Sequence, residues 1–335
     1  MILVTGGTGF TGAHLLYHLL QKEPSVRALK RPSSSLKTCR KIFSYYTDKP
    51  DEYFSRIEWV DGDILDIYSL LPLLDGVQKV FHTAALVSFD PGDKDRIMET
   101  NVAGTANVVN ACLEKKVEKL AYVSSIAALG REGNEKLVTE ESEWKPSKNS
   151  SPYSQSKYEA EREVWRGMAE GLKAVIVNPS VILGPGDFSK GSLKMFQTVY
   201  QGLKFYTRGV NGYVDVNDVA KALIWLMESE ISEERFILNS ENVSYQKLFQ
   251  MMASALGVSP PKQKARKIIS ALSWRLFKIQ ALFTGKKPLV TRQTARTANS
   301  FFRYSNEKFV RISGFSFTPV KTTIEKTAQI FLSEV

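Results

Sequence analysis

Short apolar runs alternate with helical patterns through the first half of the chain. Ile2–Thr5, Val26–Leu29, Ile57–Val60, Lys79–His82, Leu120–Val123 and Ala174–Val177 are four residues each, the length and composition of strands buried on both faces. Between them, apolar residues recur at three- and four-residue steps, as in Ala13–Leu20 and Asn101–Glu114, and predict helices. Strand–helix alternation of this kind predicts an α/β fold with a doubly wound parallel sheet. Beyond Pro179 the rhythm breaks, and glycine and proline cluster over Pro179–Gly186. Gly212–Val216, the helix Asp218–Met227 and Arg235–Leu238 then read as late additions to the same sheet. Residues 1–179 with 212–239 are expected to form one domain. Residues 180–211 with 240–335 are expected to form a smaller, mostly helical lobe.

The first chemistry lies in the turn after the first strand. Gly6-Gly7-Thr8-Gly9-Phe10-Thr11-Gly12 joins that strand to a helix, with glycines at three-residue steps. Missing side chains let the backbone turn sharply and let a pyrophosphate reach the free N–H groups and positive dipole end of the helix. A glycine triplet in this context is the signature of a dinucleotide-binding Rossmann fold. The first domain is therefore read as the cofactor domain, and Gly6, Thr8, Gly9, Phe10, Thr11 and Gly12 as cofactor-binding. NAD sites usually end the second strand with a carboxylate that binds the ribose 2′-hydroxyl. Here that strand runs Leu29-Lys30-Arg31-Pro32-Ser33-Ser34. Lys30 and Arg31 suit a 2′-phosphate instead, so NADP(H) is preferred over NAD(H).

A second constellation is Tyr153-Ser154-Gln155-Ser156-Lys157. Residues four apart share a helix face. Hydride transfer to a carbonyl needs a proton donor for the developing alkoxide. A tyrosine fills that role when a nearby ammonium lowers its pKa, as Lys157 does from one turn away. Ser124 and Ser125 end the fifth strand, where parallel sheets present ligand-contacting residues, and either hydroxyl can polarise a carbonyl toward Tyr153.

The 335-residue chain carries a net charge of +10. The excess is concentrated in Val258–Arg311, which holds thirteen basic residues and one acidic residue. No recognition motif accompanies it, so specific nucleic-acid binding is not expected. Within it, Lys267–Phe283 places apolar residues at helical steps among Lys267, Arg275 and Lys278. That is the pattern of a lobe-packing helix, with peripheral membrane contact as the alternative. Two cysteines make no disulfide framework, and no run of ~18 apolar residues exists to span a membrane. With Met1–Thr5 already a strand, a cytoplasmic protein without a leader is expected. His14 and His18 lie one helical turn apart, but two ligands without a third do not make a metal site, so no metal is expected.

With these motifs in hand, the chain resembles the extended short-chain dehydrogenase/reductase family, nearest its dihydroflavonol 4-reductase-like and 3β-hydroxysteroid dehydrogenase-like branches. The resemblance covers Met1–Asn239 well and the remainder loosely. It implies that Asp63 and Ile64, in Asp61-Gly62-Asp63-Ile64, hold the adenine. It places Ala84 and Ala85 beside the pyrophosphate, and Pro179 and Val181 beside the nicotinamide. The family's catalytic serine lies five residues before a glycine, so Gly130 selects Ser125, with Ser124 as the near alternative and a cofactor contact. Tyr153 becomes the acid/base, Lys157 its electrostatic partner, and Asn101 a supporting active-site residue. Asp218 matches a structural position at the lobe junction. The family also contains nucleotide-sugar epimerases and dehydratases, and non-catalytic NADP-binding redox sensors. Dehydratases add carboxylates beside the catalytic serine, where this chain has Ile126, Ala127 and Ala128. Sugar-nucleotide members tend to carry arginine at the position of Asn211. Sensors usually lose the Tyr–Lys pair. The expectation is reversible reduction of a small, hydrophobic carbonyl compound. By analogy with relatives, a homodimer would form through the helices near Asn101–Glu114 and Tyr153–Arg166.

Overall fold

The computed structural model describes residues 1–131, 137–147, 150–265 and 297–335. The amphipathic pattern Lys267–Phe283 lies outside the described residues.

The central sheet has seven parallel strands: β1 (Ile2–Thr5), β2 (Val26–Lys30), β3 (Ile57–Asp61), β4 (Lys79–His82), β5 (Lys119–Val123), β6 (Ala174–Pro179) and β7 (Glu234–Leu238). Their spatial order is β3-β2-β1-β4-β5-β6-β7. The order reverses between β1 and β4, which opens a crevice at the carboxyl ends of the strands. This is the Rossmann arrangement. Strand interiors are apolar because helices cover both faces. One core cluster joins Val4, Phe81 and Val177 to the helices α1 (Phe10–Leu19) and Val216–Glu228. The other joins Leu3, Val80, Leu120 and Ile176 to the helices Gly104–Glu114 and Pro152–Ala169.

One expectation is corrected. The strand Val210–Asp215 does not extend the central sheet. It lies in a separate three-stranded sheet, parallel to Val181–Leu183 and antiparallel to Glu241–Ser244. An edge strand has one free side, and β7 takes that of β6 in register from Glu234↔Val175 to Leu238↔Pro179. The following helix, Val216–Glu228, still covers the central sheet. Lys119 fixes its end, donating from Nζ to the carbonyls of Leu226 and Ser229, each at 2.6 Å. These are carbonyls that a helix C-terminus leaves unpaired.

The smaller lobe packs Leu183, Phe196, Tyr213, Val243, Leu248, Met252, Ile324 and Phe331 into its own core. Its helices include Lys194–Tyr200, Tyr245–Ala255 and Val320–Leu332. Asp218 ties the lobe down by accepting from the Thr318 amide at 2.6 Å and the Thr318 hydroxyl at 3.1 Å. No helix of the described residues is long and apolar enough to cross a membrane.

Candidate active site

Parallel strands deliver their carboxyl ends to one edge, and the residues singled out from sequence follow those ends. Gly6 has φ +73°, and a Cβ there would lie 2.5 Å from the Ala84 nitrogen. A Cβ on Gly12 would lie 2.2 Å from the Gly6 carbonyl oxygen. The two positions accept only glycine, and together they close the turn. Gly9 is exposed and caps α1 without a side chain, so the first amides of that helix keep their donors for a ligand. Half-buried Thr8 and Thr11 flank it. This donor set fits a pyrophosphate.

The Phe10 side chain departs from the cofactor assignment. It packs toward the second lobe, where a Cβ on Gly186 would lie 3.0 Å from its ring. Its ring also meets His14 at 5.1 Å, so only its backbone amide belongs to the turn. Ala84 is half-buried behind Gly6 and Ala85 is exposed. Asp63 accepts from the Leu65 amide at 3.0 Å. Ile64 is buried against Gly104. At the end of β2, Lys30 is ion-paired with Asp61, its neighbour in register on β3, whereas Arg31 is exposed. Pro179 is buried and Val181 half-buried where the chain leaves β6.

The proton-handling side is built on the helix Pro152–Ala169. Ser151 caps it by accepting from the Ser154 amide at 2.9 Å, and Pro152 sits at its first position, where a missing N–H costs nothing. Tyr153, Lys157 and Glu161 follow at four-residue steps on one face. Burial raises the Tyr153 pKa, and Ser125 beside the phenol works against that rise. The Ser125 hydroxyl also accepts from the Ala127 amide at 3.1 Å. Lys157 is 1% exposed. Its ammonium donates to the Tyr122 hydroxyl and to the Val123 carbonyl, each at 2.8 Å. Burial pushes its pKa down to about 7, against the opposing charge of Glu161.

The Ser124 hydroxyl donates to Glu161 at 2.6 Å, and its amide is taken by the Val177 carbonyl, so its side chain is a support beneath the site. Asn101 is also spent on the protein. It sits in a π turn, Glu99–Ala103, accepting from the Leu86 amide at 2.7 Å and donating to the Leu86 carbonyl at 3.0 Å and to Ser156 at 2.9 Å. It locks the loop after β4 to the Tyr153 helix.

Four further residues belong to this constellation. Glu161 collects Ser124, Asn178 at 2.8 Å and the Arg235 guanidinium at 2.8 Å; its spacing from Tyr153 and Lys157 is the signal that marks it. Tyr122 meets Lys157 from β5. Phe89, 41% exposed, sets its ring against that of Tyr153 at 5.6 Å and 73°, and Val87 beside it is 57% exposed. No pattern in the sequence distinguishes these last three from ordinary core or surface residues. Among the described residues, no group of three or more His, Cys, Asp or Glu is placed to hold a metal.

The profile of the NAD dependent epimerase/dehydratase family matches residues 2–238. A Synechocystis protein named as a dihydroflavonol 4-reductase is 32% identical, over 98% of this chain and 93% of its own length. Cinnamoyl-CoA reductase 1 of Petunia hybrida is 27% identical, over 98% of this chain and 91% of its own. The crystal structure of gox2253 superposes with a TM-score of 0.79 at 30% identity, covering 100% of this chain and 98% of that one. Glycine turn, strand order and these likenesses agree: the chain belongs to the NAD-dependent epimerase/dehydratase family, and it is an NAD(P)-dependent enzyme of the extended short-chain dehydrogenase/reductase type.

Proposed function

We propose that the enzyme interconverts a carbonyl and an alcohol on a small apolar substrate, with NADP(H) as its coenzyme and Ser125, Tyr153 and Lys157 as its catalytic set. The observation that carries this reading is the placement of Tyr153 one helical turn from the buried Lys157 ammonium, with Ser125 close enough to work against the rise that burial gives the phenol's pKa. The nicotinamide coenzyme, when bound, supplies or accepts the hydride. Gly9 and the first amides of α1 hold its pyrophosphate, with Ala84 and Ala85 alongside. Asp63 and Ile64 meet its adenine, and Pro179 and Val181 flank its nicotinamide. Ser125 donates a hydrogen bond to the substrate carbonyl and orients it. Tyr153 gives its proton to the developing alkoxide, and takes it back in the alcohol-oxidising direction. Lys157 lowers the cost of the phenolate this leaves. Asn101 keeps the loop carrying Val87 and Phe89 in place.

Two features support reduction of an apolar compound. Val87 and Phe89 offer an exposed apolar wall next to the Tyr153 phenol. The residues after Ser125 are Ile126, Ala127 and Ala128, which move no second proton. For the coenzyme, β2 ends at Lys30 with Arg31 following, and the carboxylate opposite it in register, Asp61, is already paired with Lys30.

The test is a screen of apolar aldehydes and ketones, following oxidation of NADPH against NADH, with Tyr153→Phe alongside. Turnover is expected to fall ~10²- to 10⁴-fold in Tyr153→Phe, the usual worth of a positioned acid or base. Coenzyme affinity should stay within about twofold, since the ring and its contacts remain. Equal turnover in the variant, or turnover of a nucleotide sugar instead, overturns the reading.

A further inference from the structure

An ammonium has three N–H donors and no acceptor. Two donors of Lys157 are spent inside the protein, on the Tyr122 hydroxyl and on the Val123 carbonyl. One is left for the cleft. The Val123 carbonyl is backbone, but the Tyr122 hydroxyl is an element of the sequence, and it is itself held.

Tyr122 is 1% exposed, and its ring stacks on His82 at 5.3 Å with an interplanar angle of 29°. Thr105, beside the Tyr122 hydroxyl, works against the rise that burial gives the pKa of that phenol. Thr105 gives its own proton to the Asn101 carbonyl at 2.6 Å, so toward its other neighbours its oxygen accepts. Thr105 also meets His82 Nε2 at 3.0 Å, while His82 Nδ1 meets the Thr5 hydroxyl at 2.7 Å. Burial and the nearby Lys157 push the His82 pKa down to about 3, so the imidazole is neutral, with Nε2 protonated toward Thr105. An ammonium can only donate, so in its bond with Lys157 the Tyr122 oxygen is the acceptor.

We propose that the Tyr122 hydroxyl is a positioning group for Lys157, fixing the ammonium so that a single N–H faces the cleft and favouring its protonated form over the neutral amine. This rests on the reading of Lys157 as the partner of Tyr153. A hydroxyl oxygen that accepts from the ammonium favours the charged lysine over the neutral one. The charged and titratable groups around Lys157 are Glu161 and Tyr153 on its own helix, Tyr122 on β5 and His82 on β4, with Arg235 on β7 paired behind Glu161. Burial works against the charge and Glu161 works for it. Tyr122 is the uncharged group that tips the balance.

Tyr122→Phe removes the hydroxyl and keeps the ring over His82. The direct readout is the pH titration of the Lys157 ε-carbon by NMR in [6-¹³C]lysine-labelled full-length protein, with the resonance assigned by its loss in Lys157→Met. It needs no substrate. The apparent pKa of Lys157 is expected to drop by about one unit in Tyr122→Phe, as loss of one charge-assisted hydrogen bond implies. Tyr122→Met serves the same purpose if the phenylalanine variant does not fold. An unmoved titration overturns the proposal. Turnover of Tyr153→Phe with an aryl aldehyde and NADPH tests the underlying reading separately. A dead Tyr153→Phe with an unmoved lysine sinks only the role of Tyr122. A fully active Tyr153→Phe sinks the catalytic assignment, whatever the lysine does.

Discussion

Ser124 and Ser125 are adjacent, and strand alternation sends their hydroxyls to opposite sides. Ser125 faces the Tyr153 phenol, and Ser124 reaches down to the Glu161 carboxylate at 2.6 Å. The same substitution therefore has different consequences at the two positions. Ser125→Ala removes a donor needed when charge develops on the substrate oxygen. It should cost ~10²-fold in kcat with little change in stability or coenzyme affinity, the scale of losing one oxyanion donor. Ser124→Ala leaves a buried carboxylate one partner short. It should cost about 1–3 kcal/mol of stability while retaining most of the activity. Steady-state kinetics paired with urea unfolding separates the two outcomes. If Ser124→Ala is the inactive one, the roles of the two serines are reversed.

At the scale of elements, register does what sequence order cannot show. β2 and β3 pair Lys30 with Asp61, so the basic end of β2 is partly neutralised by a residue thirty-one positions away. Exposed Arg31 is then the group best placed to meet a 2′-phosphate. Arg31→Ser should raise the Kd for NADPH about tenfold relative to NADH, the worth of one charge-assisted hydrogen bond. Asp61→Asn should act oppositely, freeing Lys30 and removing a repelling charge. Equilibrium titration of coenzyme fluorescence checks both, and no change in either ratio would remove β2 from the specificity question. The same distinction between local pattern and pairing decides what could be read in advance. The strands of the central sheet are legible because burial on both faces makes them plain apolar runs. The glycine turn and Tyr153/Lys157 are legible because their chemistry demands fixed spacings. Val210–Asp215 lies just before a helix that covers the central sheet, as a further strand of that sheet would, and only pairing with Val181–Leu183 and Glu241–Ser244 shows that it belongs elsewhere. Tyr122 and Phe89 are illegible for a related reason. One looks like a core aromatic and the other like a surface one until tertiary packing brings each to the Tyr153–Lys157 face.

Across the whole molecule, the coenzyme turn and the smaller lobe are joined through the first helix. Phe10 packs against the Gly184–Gly186 bend, and one turn later the neutral His14 donates from Nε2 to the Pro185 carbonyl at 2.9 Å while its Nδ1 lies against the Tyr46 hydroxyl. His14 is fully buried, and burial pushes its pKa down to about 3. His82, under the Lys157 site, is pushed to about 3 for the same first reason. For an imidazole whose folded pKa lies below its unfolded value, the unfolded chain binds more protons between the two. Each histidine therefore stabilises the fold fully above about pH 6.5 and loses that contribution as pH falls toward about 3, at about 1.4 kcal/mol per pH unit. Acid should thus strike the lobe junction and the catalytic floor together. Urea unfolding free energies measured from pH 7 down to pH 5 should fall steeply in the wild type. They should fall less steeply in His14→Gln, which retains a donor for the Pro185 carbonyl but does not titrate. Parallel slopes in the two proteins would show that His14 is not protonated on unfolding in this range, and the acid sensitivity would then have to come from other groups, His82 and His18 among them.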